Sequence, residues 1–147
     1  MKKLILLTAI AAFAFTSCNN DDDNNEVSLF GTWKLTKATL NAGIDLNNDG
    51  TASTNLITES GCLNNSTVIF TDDVASAILK MQSIDVTEED NGDYTVLCED
   101  GVDEYLPFTV SGDNVTLTSD GVNVIFVKNG NKLTTGMDGA ILEFTKQ

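Results

Sequence analysis

DYTVLCEDGVDEYLPFTVSGDNVTLTSDGVNVIFVKNGNKLTTGMDGAILEFTK, running from Asp93 to Lys146, is the stretch that decides the fold class. Its apolar residues are mostly β-branched or aromatic, and they come in short alternating runs. Alternation of that kind gives a strand one apolar and one polar face. The runs are separated by Asp100-Gly101, Gly112-Asp113, Asp120-Gly121, Asn129-Gly130 and Asp138-Gly139, with Asn91-Gly92 just upstream. Such doublets tolerate the positive φ that tight hairpins require. Strands spaced about 8–12 residues apart describe an antiparallel meander, closed as a barrel or folded as a sandwich. Pro107 is the single proline, so little interrupts the ladders.

The pattern extends upstream. GTWKLTKATL (Gly31–Leu40) alternates, and STVIFT (Ser66–Thr71) is rich in strand-forming residues. AILKMQSIDVT (Ala77–Thr87) reads as helix or strand in its first half and as strand from Ile84 onward. No long helical periodicity occurs. One or two helical turns fit Thr51–Ser60.

Gly31-Thr32-Trp33 opens the first domain strand and resembles the G-x-W start of lipocalins and related calycin barrels. With the acidic, threonine-rich meander behind it, the chain is similar to lipocalin-like domains of Bacteroidota lipoproteins. The resemblance implies an all-β, antiparallel up-and-down barrel of about eight strands over residues 29–147. It also implies that Trp33 plugs the closed end. Lipocalins often lay a late arginine over that tryptophan. This chain has none, and Lys146 is a candidate to stand in. Without the resemblance, Trp33 reads as an ordinary core aromatic.

The start of the chain carries an address. Lys2 and Lys3 precede an uncharged, largely apolar run from Leu4 to Phe15. That run is too short for a bilayer, which takes roughly 20 helical residues, and suits a signal peptide. Phe15-Thr16-Ser17-Cys18 resembles a bacterial lipobox, with Phe15 in place of the usual aliphatic residue. The resemblance implies a signal over residues 1–17, cleavage, and acylation of Cys18. Residues 18–28 then form an acidic tether, since NNDDDNNE offers nothing to bury. Asp21, Asp22 and Asp23 directly behind the cysteine resemble the signal that sends Bacteroidota lipoproteins to the outer face of the outer membrane. The plainer reading is a solvated leash held off an anionic surface.

Composition excludes several functions. The chain has 22 acidic residues against 8 lysines, with no histidine and no arginine. Losing Lys2 and Lys3 would bring the formal charge to about −16. Such a chain is a poor match for nucleic-acid phosphates. It can form neither a histidine-dependent triad nor a histidine-ligated metal site. Membrane attachment would come from acyl chains rather than from protein charge.

Setting Cys18 aside, Cys62 and Cys98 form an even pair, which an exported domain uses as a disulfide. There is no CxxC, and no neighbouring histidine or arginine to activate a thiol.

Asp45-Leu46-Asn47-Asn48-Asp49-Gly50 fits D-x-N-x-D-G, the first half of a calcium loop. Asp45, Asn47 and Asp49 would supply side-chain oxygens, Thr51 a carbonyl, and Ser53 a hydroxyl or a bridging water. The twelfth position, normally a bidentate glutamate, holds Leu56, while Glu59 lies three residues late. Two readings stand: a weak Ca2+ site, or an Asx-turn cluster without an ion. The segment from Ala42 to Asn65 is too long for a simple hairpin and reads as a lid carrying Cys62.

Three function classes follow. The first is a lipid-anchored barrel holding a small hydrophobic ligand. The second is a non-catalytic surface domain for adhesion or accessory contacts, with a calcium-stabilised loop and an unidentified protein partner. An enzyme is not expected. Glu88-Glu89 and Asp103-Glu104 are adjacent acid pairs, and neighbours on a strand point to opposite faces.

Overall fold

The computed structural model describes residues 27–72, 76–137 and 139–147. The signal, Cys18 and most of the tether lie outside them.

Among the described residues, eleven strands and one short helix follow in chain order. The strands are β1 (Gly31–Ile44), β2 (Ser53–Asn55), β3 (Thr67–Phe70), β4 (Ser76–Lys80), β5 (Ser83–Glu88) and β6 (Tyr94–Glu99). They continue as β7 (Asp103–Ser111), β8 (Asn114–Ser119), β9 (Val122–Asn129), β10 (Lys132–Met137) and β11 (Ala140–Lys146). The helix α1 (Leu56–Ser60) lies between β2 and β3. The main sheet has the order β11-β10-β9-β8-β7-β4-β3-β1-β2, and β1 also pairs with β11. That pairing closes an antiparallel barrel of eight wall strands, with β2 an appendage on β1. The calycin-like barrel expected from the sequence is the fold observed.

Alternation builds the interior. Leu35, Val68, Phe70, Val115, Leu117, Phe126, Leu133 and Phe144 are all 2 % exposed or less and project inward from successive wall strands. Phe126 meets Phe144 edge-on at 5.8 Å between ring centroids, and Phe70 meets Phe108 at 5.1 Å. Each such burial contributes about 1.5–3 kcal/mol. Ala77 resolves the ambiguous stretch as a strand: it is fully buried in β4, which pairs with β3 on one side and β7 on the other.

One end of the barrel is formed by the β7–β8 and β9–β10 turns, the start of β1 and the end of β11. A strap, residues 27–30, lies at this end and packs Val27 and Leu29 on the core. The other end carries β2, α1 and the two-stranded hairpin β5–β6. The hairpin prolongs β4 and β7 past a bulge. Between the pairs Lys80–Asp103 and Ser83–Glu99, Met81 and Gln82 oppose Asp100, Gly101 and Val102. The extra residue bends the ribbon away from the wall. Gly101 is required there, because a Cβ would stand 2.1 Å from the Met81 carbonyl oxygen.

Candidate functional site

At the closed end Trp33 is fully buried and its indole N–H donates to the Leu29 carbonyl at 2.7 Å. Lys146 is its partner across the β1–β11 ladder, and its Nζ lies 5.1 Å from the indole centroid. The same ammonium donates to the Phe30 and Leu29 carbonyls. A cation over an indole face is attracted by the ring quadrupole. Lys146 therefore occupies the position the sequence proposed for it. Burial, and secondarily the charge of Lys128, hold its pKa below the usual lysine value. Gly31 has φ +115°, and a Cβ on it would lie 2.8 Å from the Lys146 Nζ. Glycine is favoured here for its backbone conformation, since the Lys146 tip could shift to admit a Cβ.

The open end is a tied lid. Cys62 and Cys98 form a disulfide with their Cα atoms 5.4 Å apart, joining the segment after α1 to β6. Gln82 ties the base of the hairpin. Its Oε1 accepts from the Asn65 N–H at 2.9 Å, its Nε2 donates to Asp100, and its own N–H donates to Ser66 Oγ. Asn48 holds the far end. Its Oδ1 accepts from the Tyr94 N–H and its Nδ2 donates to the Tyr94 carbonyl, both at 2.8 Å. The amide thus pairs with Tyr94 as a neighbouring strand would. Asn48 adopts φ 57°, which asparagine tolerates better than most residues. Neither clamp was visible in the sequence. Asn48 falls between the ligand positions of the loop, and Gln82 in the stretch before Ile84 whose helix or strand character the sequence left open.

The D-x-N-x-D-G loop curls around its own backbone. Asp45 accepts from the N–H groups of Asp49 and Gly50, at 3.0 and 2.8 Å. Asn47 Oδ1 also accepts from Asp49 N–H, and Asp49 Oδ1 accepts from Thr51 N–H. Asp45, Asn47, Asp49 and Thr51 are thus brought together. Ser53 stands apart on β2, where its hydroxyl accepts from Asn55 N–H. Leu56 begins α1. Glu59 is buried beneath the loop, and its carboxylate accepts from Leu46 N–H at 3.3 Å. Among the described residues, no three Asp, Glu, Cys or His side chains converge in a way that would hold a metal.

Apolar residues change character along the barrel axis. The closed end and middle are filled by Trp33 and the buried phenylalanines. Toward the open end, Leu40, Leu56, Ile57, Val124 and Met137 pack on the core but remain half-buried, beside the buried Leu46, Cys62 and Leu63. A rim cleft of about 250 Å³, lined by Leu79, Met81, Gly101 and Val102 with Asp100 and Glu104, lies beside the bulge. Glu104 pairs with Leu79 and shares the face of Leu106. Asp103 pairs with Lys80 and takes the opposite face, so these adjacent carboxylates do not meet.

No protein-family model matches the chain, and no curated protein or solved structure matches it.

Proposed function

We propose that this chain is an outer-membrane lipoprotein, anchored through Cys18, whose barrel takes a small apolar ligand at its open end. The observation that supports the ligand reading is the gradient along the barrel axis. Large aromatic side chains fill the closed half, whereas Leu40, Val124 and Met137 stay half-buried at the end that carries α1 and the disulfide. An apolar molecule resting there would complete their burial, at about 25 cal/mol per Å² removed from water. The packed lower half limits its depth, so the ligand is short. Lipid anchorage rests on the Leu4–Cys18 sequence.

Expression of the whole chain tests both parts. The protein is expected in the membrane fraction, and Cys18→Ser in the soluble fraction. Native mass spectrometry of residues 18–147 should show a copurifying apolar molecule, or uptake of a short fatty acid that Val124→Trp abolishes. A protein that carries nothing and takes up no probe sinks the ligand reading. Membrane retention of Cys18→Ser sinks the anchor.

The folded loop favours a second reading, a surface interaction domain stabilised by calcium. Asp45, Asn47 and Asp49 already share one small turn, and Glu59 approaches its start. The donor set lacks the closing bidentate carboxylate, so affinity would fall at the weak, millimolar end. Asp45→Ala breaks the turn with or without an ion, so its melting point alone decides nothing. The discriminating measurement is the rise in melting temperature between chelator and millimolar calcium. That rise is expected in the native chain and absent in Asp49→Ala. Equal native midpoints remove calcium from the account.

A further inference from the structure

We infer that the closed end of the barrel is the face that lies against the lipid headgroups of the membrane holding the anchor. This rests on the proposed lipidation of Cys18 and adds to it an orientation and a contact surface.

Three observations converge. The first is where the chain enters. The described structure begins at Val27 in the strap at the closed end, nine residues after Cys18. The second is charge. The hairpin β5–β6 and its turn, at the opposite end, carry Asp85, Glu88, Glu89, Asp90, Asp93 and Glu99 and no lysine. Lys34, Lys128, Lys132 and Lys146 lie toward the closed end, where the described acidic residues are Asp72, Asp113 and Glu143. Asp73 adjoins this end in sequence, as do Asp21, Asp22, Asp23 and Glu26 before Val27, so its contrast with the hairpin lies in four lysines against none.

The third is apolar exposure. Phe30, in the strap, is 48 % exposed and Val110, beside it, 54 %, while Leu97, Val102 and Val122 are more exposed at the other end. A cleft of about 230 Å³ between the strap and the β7–β8 turn is lined by Val27, Leu29, Val110 and Val115, with Asp113 and Lys128. A lysine-bearing, partly apolar face can enter a headgroup layer. The acidic end would be repelled by anionic lipid.

Dimensions make the choice effective. A wall strand of eight residues spans about 26 Å. Surface potentials decay over about 8–10 Å in physiological salt. With the closed end down, the hairpin carboxylates lie beyond the reach of the lipid charge. Inversion would press them into it.

The test bypasses cellular lipidation. With Cys62–Cys98 oxidised, Cys18 is the one free thiol of residues 18–147. It can be coupled to a maleimide phospholipid in phosphatidylcholine vesicles, with and without phosphatidylglycerol. A water-soluble amine-acylating reagent then reads lysine exposure by mass spectrometry, with a soluble thiol cap as the reference state. Acylation of Lys34 and Lys132 should fall severalfold on both vesicles while Lys80, at the far end of β4, is unchanged. Phe30→Ser with Val110→Ser should restore the lost reactivity without affecting coupling. Uniform reactivity, or protection centred on Lys80, overturns the orientation and leaves the anchor to the Cys18→Ser fractionation.

Discussion

Trp33→Ala is expected to remove about 3–5 kcal/mol of stability, read as a lower urea midpoint at unchanged slope. The whole fold is expected to be worth about 5–15 kcal/mol, so the variant would sit at the edge of folding at 37 °C. The size of the effect follows from what meets at this side chain. Trp33 is fully buried and pairs with Val68 on one flank and Lys146 on the other. Its N–H satisfies the Leu29 carbonyl, and its face receives the Lys146 ammonium. Truncation leaves a cavity, a Leu29 carbonyl held only by the longer bond from Lys146, and a partly buried cation without its ring. Trp33→Phe separates these contributions. It keeps an aromatic face for Lys146 and loses the hydrogen bond and some volume, so it should fall between the two. An alanine variant within about 1 kcal/mol of the parent would mean that Trp33 is an ordinary surface of the core and plugs nothing.

Replacing both Cys62 and Cys98 by alanine is expected to cost about 3–4 kcal/mol, from the entropy regained by a loop of this length in the unfolded chain. The sequence separation is 36 residues. A purely unfolded-state effect would leave native hydrogen exchange in the hairpin untouched. Here Cys62 is buried in the core cluster while β6 is largely exposed. The bond is thus one of few links between hairpin and body. Amide exchange in β5, β6 and α1 should therefore accelerate in the variant, with β8–β11 following only the global loss. The Asn48–Tyr94 pair and the Gln82 contacts remain, so the hairpin should loosen rather than detach. Unchanged hairpin exchange would show that those clamps suffice and that the disulfide acts on the unfolded chain alone.

The barrel was legible because its turns obey local rules. Gly112, Gly121, Gly130 and Gly139 all have positive φ at the hairpin turns their doublets indicated. Asp100-Gly101 has the same appearance and a different task. It sits in the bulge, where absence of a side chain lets one backbone pass another. A doublet cannot reveal which of these it is, because the deciding neighbour, Met81, comes from another strand. The helical turn fell within the segment that allowed one, at Leu56–Ser60. The pairing of Cys62 with Cys98 followed from parity of the cysteine count and its presumed compartment. Asn48 and Gln82 were illegible for a related reason. Each is a common polar residue whose partner lies at least 16 residues away, and no periodicity marks it. The D-x-N-x-D-G stretch was legible as a turn, and Asp45, Asn47, Asp49 and Thr51 do assemble while Ser53 stands apart. Whether an ion adds stability depends on the missing twelfth ligand, a question of affinity rather than pattern.

The β1–β11 seam has a consequence for how the chain acquires its structure. Thr36 bonds Glu143 and Thr145 across a separation of more than 100 residues. Pairings that distant form slowly, because the whole intervening chain must first be gathered. The hairpins from β7 to β11 can form among near neighbours. Synthesis makes β1 first and β11 last, so the first strand waits for its final partner with an open, hydrogen-bond-hungry edge. Until then that edge is the part of the nascent molecule most in need of a chaperone.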